Sequence, residues 1–258
     1  IGYRTHMTET CDADAPIHLI TQVETVLAPT QDVEVTKDVH VHLAEQGLTP
    51  KEHLVDAAYV SADLLANSVR EDGVELIAPV TKLQDVSWQA REQTGYDISQ
   101  FQIDWEAKQV TCPKGQTSSR WTENIQDRTG NAVIHVWFPP AICRACSSRD
   151  LCTRSKQQGR TMQLRPQEQH QALQRARAEQ NSAEFKERYR PRLGIEGTIS
   201  QAVRAFELRE TRYRGLSKTH LQAVALATAI NFCRFWDYLN GSGLVRTRTS
   251  PFAALAPS

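Results

Sequence analysis

The sequence predicts a mixed α/β core interrupted by a mostly β, cysteine-containing insertion. Three observations predict it. Residues 1–83 read in the order hairpin, helix, strand, helix, strand. Residues 84–165 are polar, rich in Trp and Gln, and carry only short alternating stretches. Residues 166–241 return to helical periodicity and leave 242–258 as a poorly ordered tail. A chain of 258 residues suffices for one large domain or a domain with an insertion.

Residues 2–11 alternate and are rich in Thr and aromatics, the pattern of a strand, and residues 17–28 read as a second. The Asp-Ala-Asp-Ala-Pro segment between them supplies turn chemistry, so the two should form an antiparallel hairpin. Residues 32–46 have helical spacing, with Val35, Val39 and Leu43 on one apolar face and Gly47 as the stop. Asp12, Asp14, Asp32 and Asp38 resemble metal ligands by type, but turn and cap roles explain them more simply. Residues 53–59 are expected to form a strand with Asp56 near its carboxyl end, where α/β sheets present functional groups. Ser61 is placed to cap a helix through Glu71, and residues 74–80 give the strand that closes a βαβ unit.

Within the insertion the alternating stretches are 101–105, 109–112 and 132–138. It carries Cys112, Cys143, Cys146 and Cys152; the middle two form a Cys-x-x-Cys, and Cys112 is followed by Pro113, Lys114 and Gly115, a knuckle-like turn. Four thiolates can close a tetrahedral structural Zn²⁺ site, and a metal would compensate for the few large apolar side chains here. Four unpaired loop thiols is the alternative. Six cysteines with this spacing suit a reducing cytoplasm better than a secreted disulfide scaffold. Cys11 and Cys233 fall in strand and helix patterns and are expected to be buried thiols. No apolar run is long enough to span a membrane.

Residues 166–188 read as one or two charged helices. Tyr189, Arg192 and Glu196 follow at i, i+3, i+7, which on a helix puts all three on one stripe. A carboxylate can hold a hard divalent cation, a guanidinium can grip phosphate and a phenol can hydrogen-bond it. An i, i+4 Arg–Glu pair on a solvated face is the plainer account of the same spacing. Arg204, Arg212, Arg214 and Lys218 belong to a dense basic run, suited to phosphate or to a solvated loop. Residues 216–239 read as a long, largely buried helix ended by Asn240-Gly241. Net charge is zero, yet residues 1–83 carry 5 Lys/Arg against 14 Asp/Glu, and residues 144–218 carry 17 against 8. A basic half suggests contact with a polyanion; helix faces that neutralise the acidic half would leave the same count.

Tyr189, Arg192 and Glu196, with the strings Gly-Ile-Glu-Gly-Thr-Ile-Ser-Gln and Arg-Tyr-Arg-Gly-Leu-Ser-Lys around them, resemble the acidic signature of bacterial insertion-sequence transposases of the DDE class. That signature is Tyr, two residues, Arg, three residues, Glu, six residues, Lys; its Lys position falls on Val203, beside Arg204. The block from His53 through Asp56 to Tyr59 resembles the other acidic motif of the same family. The resemblance implies a ribonuclease-H-like core, with Asp56 and Glu196 as catalytic carboxylates holding a pair of Mg²⁺ (or Mn²⁺) ions. It implies Tyr189 and Arg192 on the scissile phosphate, and a similar cysteine set in the insertion. Partners and reaction would be DNA, strand cleavage and strand transfer by a homodimer, in a bacterial cytoplasm near the nucleoid. In the family a first strand carries the first catalytic Asp upstream of the Gly2-Tyr3-Arg4-Thr5-His6 segment. The core is therefore expected to lack that strand and the chain to be inactive alone. The alternative is a non-catalytic, transposase-derived DNA-binding remnant.

Overall fold

In the computed structural model, which describes residues 2–80, 87–126 and 130–241, the first two strands form the expected hairpin. The tail expected over 242–258 and the expected core–insertion boundary at 83–84 lie outside the described residues. β1 (Tyr3–Glu9) pairs antiparallel with β2 (Ile20–Leu27), with a register shift between Thr8 and Glu9. α1 (Asp32–Glu45) buries Val35, Val39 and Leu43, the stripe its spacing predicts. Gly47, at φ +69°, reverses the chain after it. Asp32 does not cap this helix: it sits in the first turn and pairs with Arg4 at 2.8 Å.

β3 (Glu52–Leu54) lies parallel to β4 (Glu75–Ile77), joined through α2 (Ala62–Asp72), and Ser61 Oγ accepts from the Leu64 amide at 3.1 Å as the expected cap. β3 is shorter than the strand expected over 53–59. The chain turns at Asp56, whose carbonyl accepts from the Tyr59 amide at 2.9 Å while its own Oδ1 accepts from the Ala57 amide at 2.7 Å.

The described residues divide into two units, one drawn from 2–60, 67–78 and 179–241, the other from 61–66, 79–80, 87–126 and 130–178. In the first, β2 contributes Ile20 and Val23 to a core shared with α8 (Gly194–Phe206) and α9 (Leu216–Leu239). Asn231 of α9 bonds both the amide and the carbonyl of Ile20 at 2.8 Å. α9 spans the range its sequence predicts, but it is not largely buried. Small residues, Ala223 and Ala227, with Thr219 and Ile230, make its inner face. Leu221, Phe232, Trp236 and Leu239 are 60–69% exposed, because a single helix face suffices to cover one hairpin. Cys233 on the same helix is exposed, not buried as expected.

The second unit contains two antiparallel sheets. One pairs β5 (Gln102–Asp104) with β6 (Gln109–Thr111); the other has the order β7 (Arg120–Ile125), β8 (Ala132–Trp137), β9 (Thr161–Leu164). Phe101, Val110, Ile134, Val136, Phe138, Met162 and Leu164 form its core. Short helices α3 (Trp88–Glu92), α4 (Pro140–Ala145) and α5 (Arg149–Cys152) and most of the longer α6 (Gln167–Glu179) belong to the same unit. No described helix is long and apolar enough to cross a membrane.

Candidate active site

The stretch carrying Tyr189, Arg192 and Glu196 is not one continuous α-helix. α7 (Ala183–Tyr189), capped by Ser182 Oγ, ends at Tyr189; residues Arg190–Leu193 form a 3₁₀ turn containing Pro191; α8 starts at Gly194. The tighter turn accommodates proline, which has no amide proton to donate. All the dihedrals through it stay right-handed, so Arg192 and Glu196 keep helical proximity: Arg192 Nη1 lies 2.7 Å from Glu196 Oε1. Tyr189 stacks on Phe185 (5.5 Å, 14°) and donates its hydroxyl to the Val55 carbonyl at 3.1 Å, next to Asp56. Its burial raises the phenol's pKa, which keeps it a donor.

The other terminal nitrogen of Arg192 lies 3.7 Å from Asp56 Oδ2. One guanidinium therefore contacts both carboxylates that the sequence singles out. Both are open to solvent, with side chains 53% and 63% exposed, while Arg192 is 21% exposed. Tyr189, Arg192, Glu196 and Asp56 thus meet in one place.

Asp56 and Arg192 line a cleft of about 310 Å³ in the first unit. Consecutive residues of β1 (Thr5–Glu9) and of β3 also line it, so the cleft runs along strand edges and not over a sheet face. Sequence reasoning missed three features around it. Glu9, with a carboxylate only 7% exposed, accepts from Thr198 Oγ1 of α8 and from Arg234 Nη1 of α9 at 3.0 Å. His53 Nδ1 lies 3.1 Å from Nε2 of the fully buried His40, whose Nδ1 is 3.0 Å from Asp72. Burial and the adjacent His40 lower the His53 pKa to about 4, so this imidazole is neutral at pH 7. His6 Nδ1 and the Tyr59 hydroxyl are 2.6 Å apart, and burial with the Asp32 and Asp56 charges pushes Tyr59 up to about 12. Each partnership joins residues distant in sequence, so no spacing rule signals them.

Among the described residues, no three His, Cys, Asp or Glu side chains are grouped to hold a metal ion. Asp56 and Glu196 have the hard oxygen donors that Mg²⁺ or Mn²⁺ takes, but only two carboxylates meet at Arg192. Cys112, Cys143, Cys146 and Cys152 all line one cavity of about 30 Å³ in the second unit. Cys143 Sγ accepts from the Arg160 amide at 3.5 Å. Burial, and beyond it the other three thiols, lifts Cys152 to about 11. The donor chemistry suits Zn²⁺, but the tetrahedral set expected from the spacing is not assembled. Arg204 closes α8, Arg212 and Arg214 lie in the following loop and Lys218 opens α9; all four are exposed, and Arg212 pairs with Glu207 at 3.3 Å.

Residues 111–236, just under half of the chain, match the family model described as "Transposase DDE domain". The matched span includes Tyr189, Arg192, Glu196 and the four cysteines, and leaves out Asp56. The match supports a transposase of the DDE class, a class that acts on DNA with divalent metal. No curated protein and no solved structure matches the chain.

Proposed function

We propose that the chain is the catalytic part of an insertion-sequence DNA transposase with a ribonuclease-H-like core, performing Mg²⁺-dependent strand cleavage and strand transfer. The observation that carries this is the convergence of Asp56 and Glu196 on Arg192. Mg²⁺, when bound, supplies Lewis-acid stabilisation of phosphoryl transfer. The chain's own residues do the rest. Asp56 and Glu196 present oxygen ligands from opposite sides of one guanidinium. Asp56 and Glu196 would hold the cation, and Arg192, beside both carboxylates, would take a phosphate oxygen. Tyr189 holds the signature turn against the end of β3 through Val55. Arg204, Arg212, Arg214 and Lys218 contact the DNA backbone.

A site of this kind uses a third carboxylate, and we assign it to a further strand. The cleft along the β1 and β3 edges supports such a strand, since among the described residues both edges lack a neighbour in their two-stranded sheets. The 258-residue chain alone is therefore inactive. The test is Mg²⁺-dependent nicking of duplex DNA by this chain, and by a longer version carrying an acidic strand ahead of it. Activity in the longer version that is lost in Glu196→Ala and Asp56→Ala supports the proposal. Cleavage by the short chain that survives Glu196→Ala would sink it. We further propose that the four cysteines close around Zn²⁺ when it binds, supported by their shared cavity. Elemental analysis should then find one zinc per chain, lost in Cys143→Ser. Metal-free protein with six thiols reactive under native conditions overturns that assignment.

A further inference from the structure

We propose that the outer face of the β7–β8–β9 sheet is a stacking platform for unpaired bases of single-stranded DNA. The inference rests on the chain being a DNA-processing protein and adds a second contact surface to it. Strand periodicity gives this sheet two faces, with Val133 buried at one end of the outer one. Ile134, Val136, Met162 and Leu164 point into the core. Their neighbours point the other way, and the register puts Arg120 opposite Trp137, with Thr161 on its far side, and Gln163 beside His135. On the central strand the rings of His135 and Trp137 stack at 5.5 Å and 23°. The guanidinium of Arg120 lies 4.9 Å from the centre of the Trp137 ring.

A cavity of about 700 Å³, large enough for a nucleotide, is lined by His135, Trp137 and Gln163 of this face together with the core-side Val136, Met162 and Leu164. Among the described residues its lining adds Arg165, Arg177 and His170 and includes no Asp or Glu, while Arg160, which also lines it, has its guanidinium over the core ring of Phe101 and bonded to the Cys152 carbonyl. Flat π surfaces joined to cations fit an anionic chain that carries aromatic plates. A duplex covers the faces of its bases and would offer this surface phosphates only. A single strand offers both base and phosphate: Trp137 and His135 take the base, and Arg120, released from the indole, takes the phosphate or stacks on the base. Because every base has a π-face, the contact is tolerant of sequence.

The experiment measures binding of the full chain to a fluorescein-labelled oligothymidylate and to a duplex of equal length, by anisotropy. Trp137→Ala should weaken single-strand binding by roughly 5- to 150-fold, the loss of one stacked base. It should leave duplex binding within about two-fold, since phosphate contacts elsewhere are untouched. Trp137→Phe should restore most of the affinity, and His135→Ala should weaken the single strand alone; both guard against a folding defect, which circular dichroism would reveal. Wild-type single-strand affinity in Trp137→Ala and His135→Ala overturns the proposal, as does equal loss on both DNA forms. Duplex binding with no single-strand binding overturns the stacking platform alone. Failure to bind either form overturns the transposase reading with it.

Discussion

Arg192 and Glu9 show how differently two charged clusters act in the same unit. Arg192 joins two exposed carboxylates, so its contacts contribute little to folding: solvent screens them, and an exposed i, i+4 pair stabilises by only about 0.3–0.5 kcal/mol. Glu9 is buried against Arg234 and Thr198. Arg192→Ala should shift the unfolding free energy by less than about 1 kcal/mol. Glu9→Ala, which strands the Arg234 cation, should cost about 3–5 kcal/mol. Urea unfolding of the two variants compares them directly, and equal effects would contradict the division between a solvent-screened and a structural cluster. His53 gives a pH prediction. Its folded pKa, near 4, is below the ordinary 6.5, so the unfolded chain takes up the proton first. The stabilisation is complete above about pH 6.5 and is lost as pH falls through 4, to the order of 3 kcal/mol. His53→Asn should flatten that part of the stability–pH profile; an unchanged slope would mean that the His40–His53 contact is not what sets it.

At the scale of elements, α9 carries the clearest contrast between pattern and outcome. Its apolar residues predicted a buried helix, yet the contacts with β2 and α8 use small side chains and Ile230. Close approach of helix to hairpin needs Ala223 and Ala227, whereas Phe232 and Trp236 face away. Ala227→Leu should therefore destabilise by about 1–3 kcal/mol through overpacking, and Trp236→Ser should change stability by no more than about 0.5 kcal/mol. Thermal melting of both variants checks the assignment of faces. The helix's length and ends were legible from periodicity and Asn240-Gly241. Its buried side was not, because apolar residues occupy more than one face and only the partner hairpin selects among them. β3 failed in the opposite sense: its apolar run predicted a longer strand, but the turn at Asp56 ends it at Leu54.

For the whole molecule, zero net charge conceals an uneven distribution with a basic run at 204–218. If Arg204, Arg212, Arg214 and Lys218 neutralise DNA phosphates, each adds about 0.9 to the slope of log affinity against log salt. Arg214→Ala with Lys218→Ala should reduce that slope by about 2 while lowering affinity evenly across sequences. A salt series by anisotropy measures it, and an unchanged slope would return these residues to the solvated loop that their exposure also permits.

The sequence by itself determined the order of elements, the hairpin, the βαβ unit and the identity of Tyr189, Arg192, Glu196 and Asp56, which meet in one place. Those are local properties: side-chain periodicity, turn residues and a motif's spacing are carried by contiguous stretches. Tertiary structure alone decided that Arg192 reaches Asp56, that Glu9 and Arg234 form a buried pair across 225 residues, and that His40 joins Asp72 to His53. It also decided that the arginine, tryptophan and histidine of the β7–β8–β9 sheet share one face. Such contacts depend on strand register and on which helix face meets which sheet, and no single stretch of chain encodes either one.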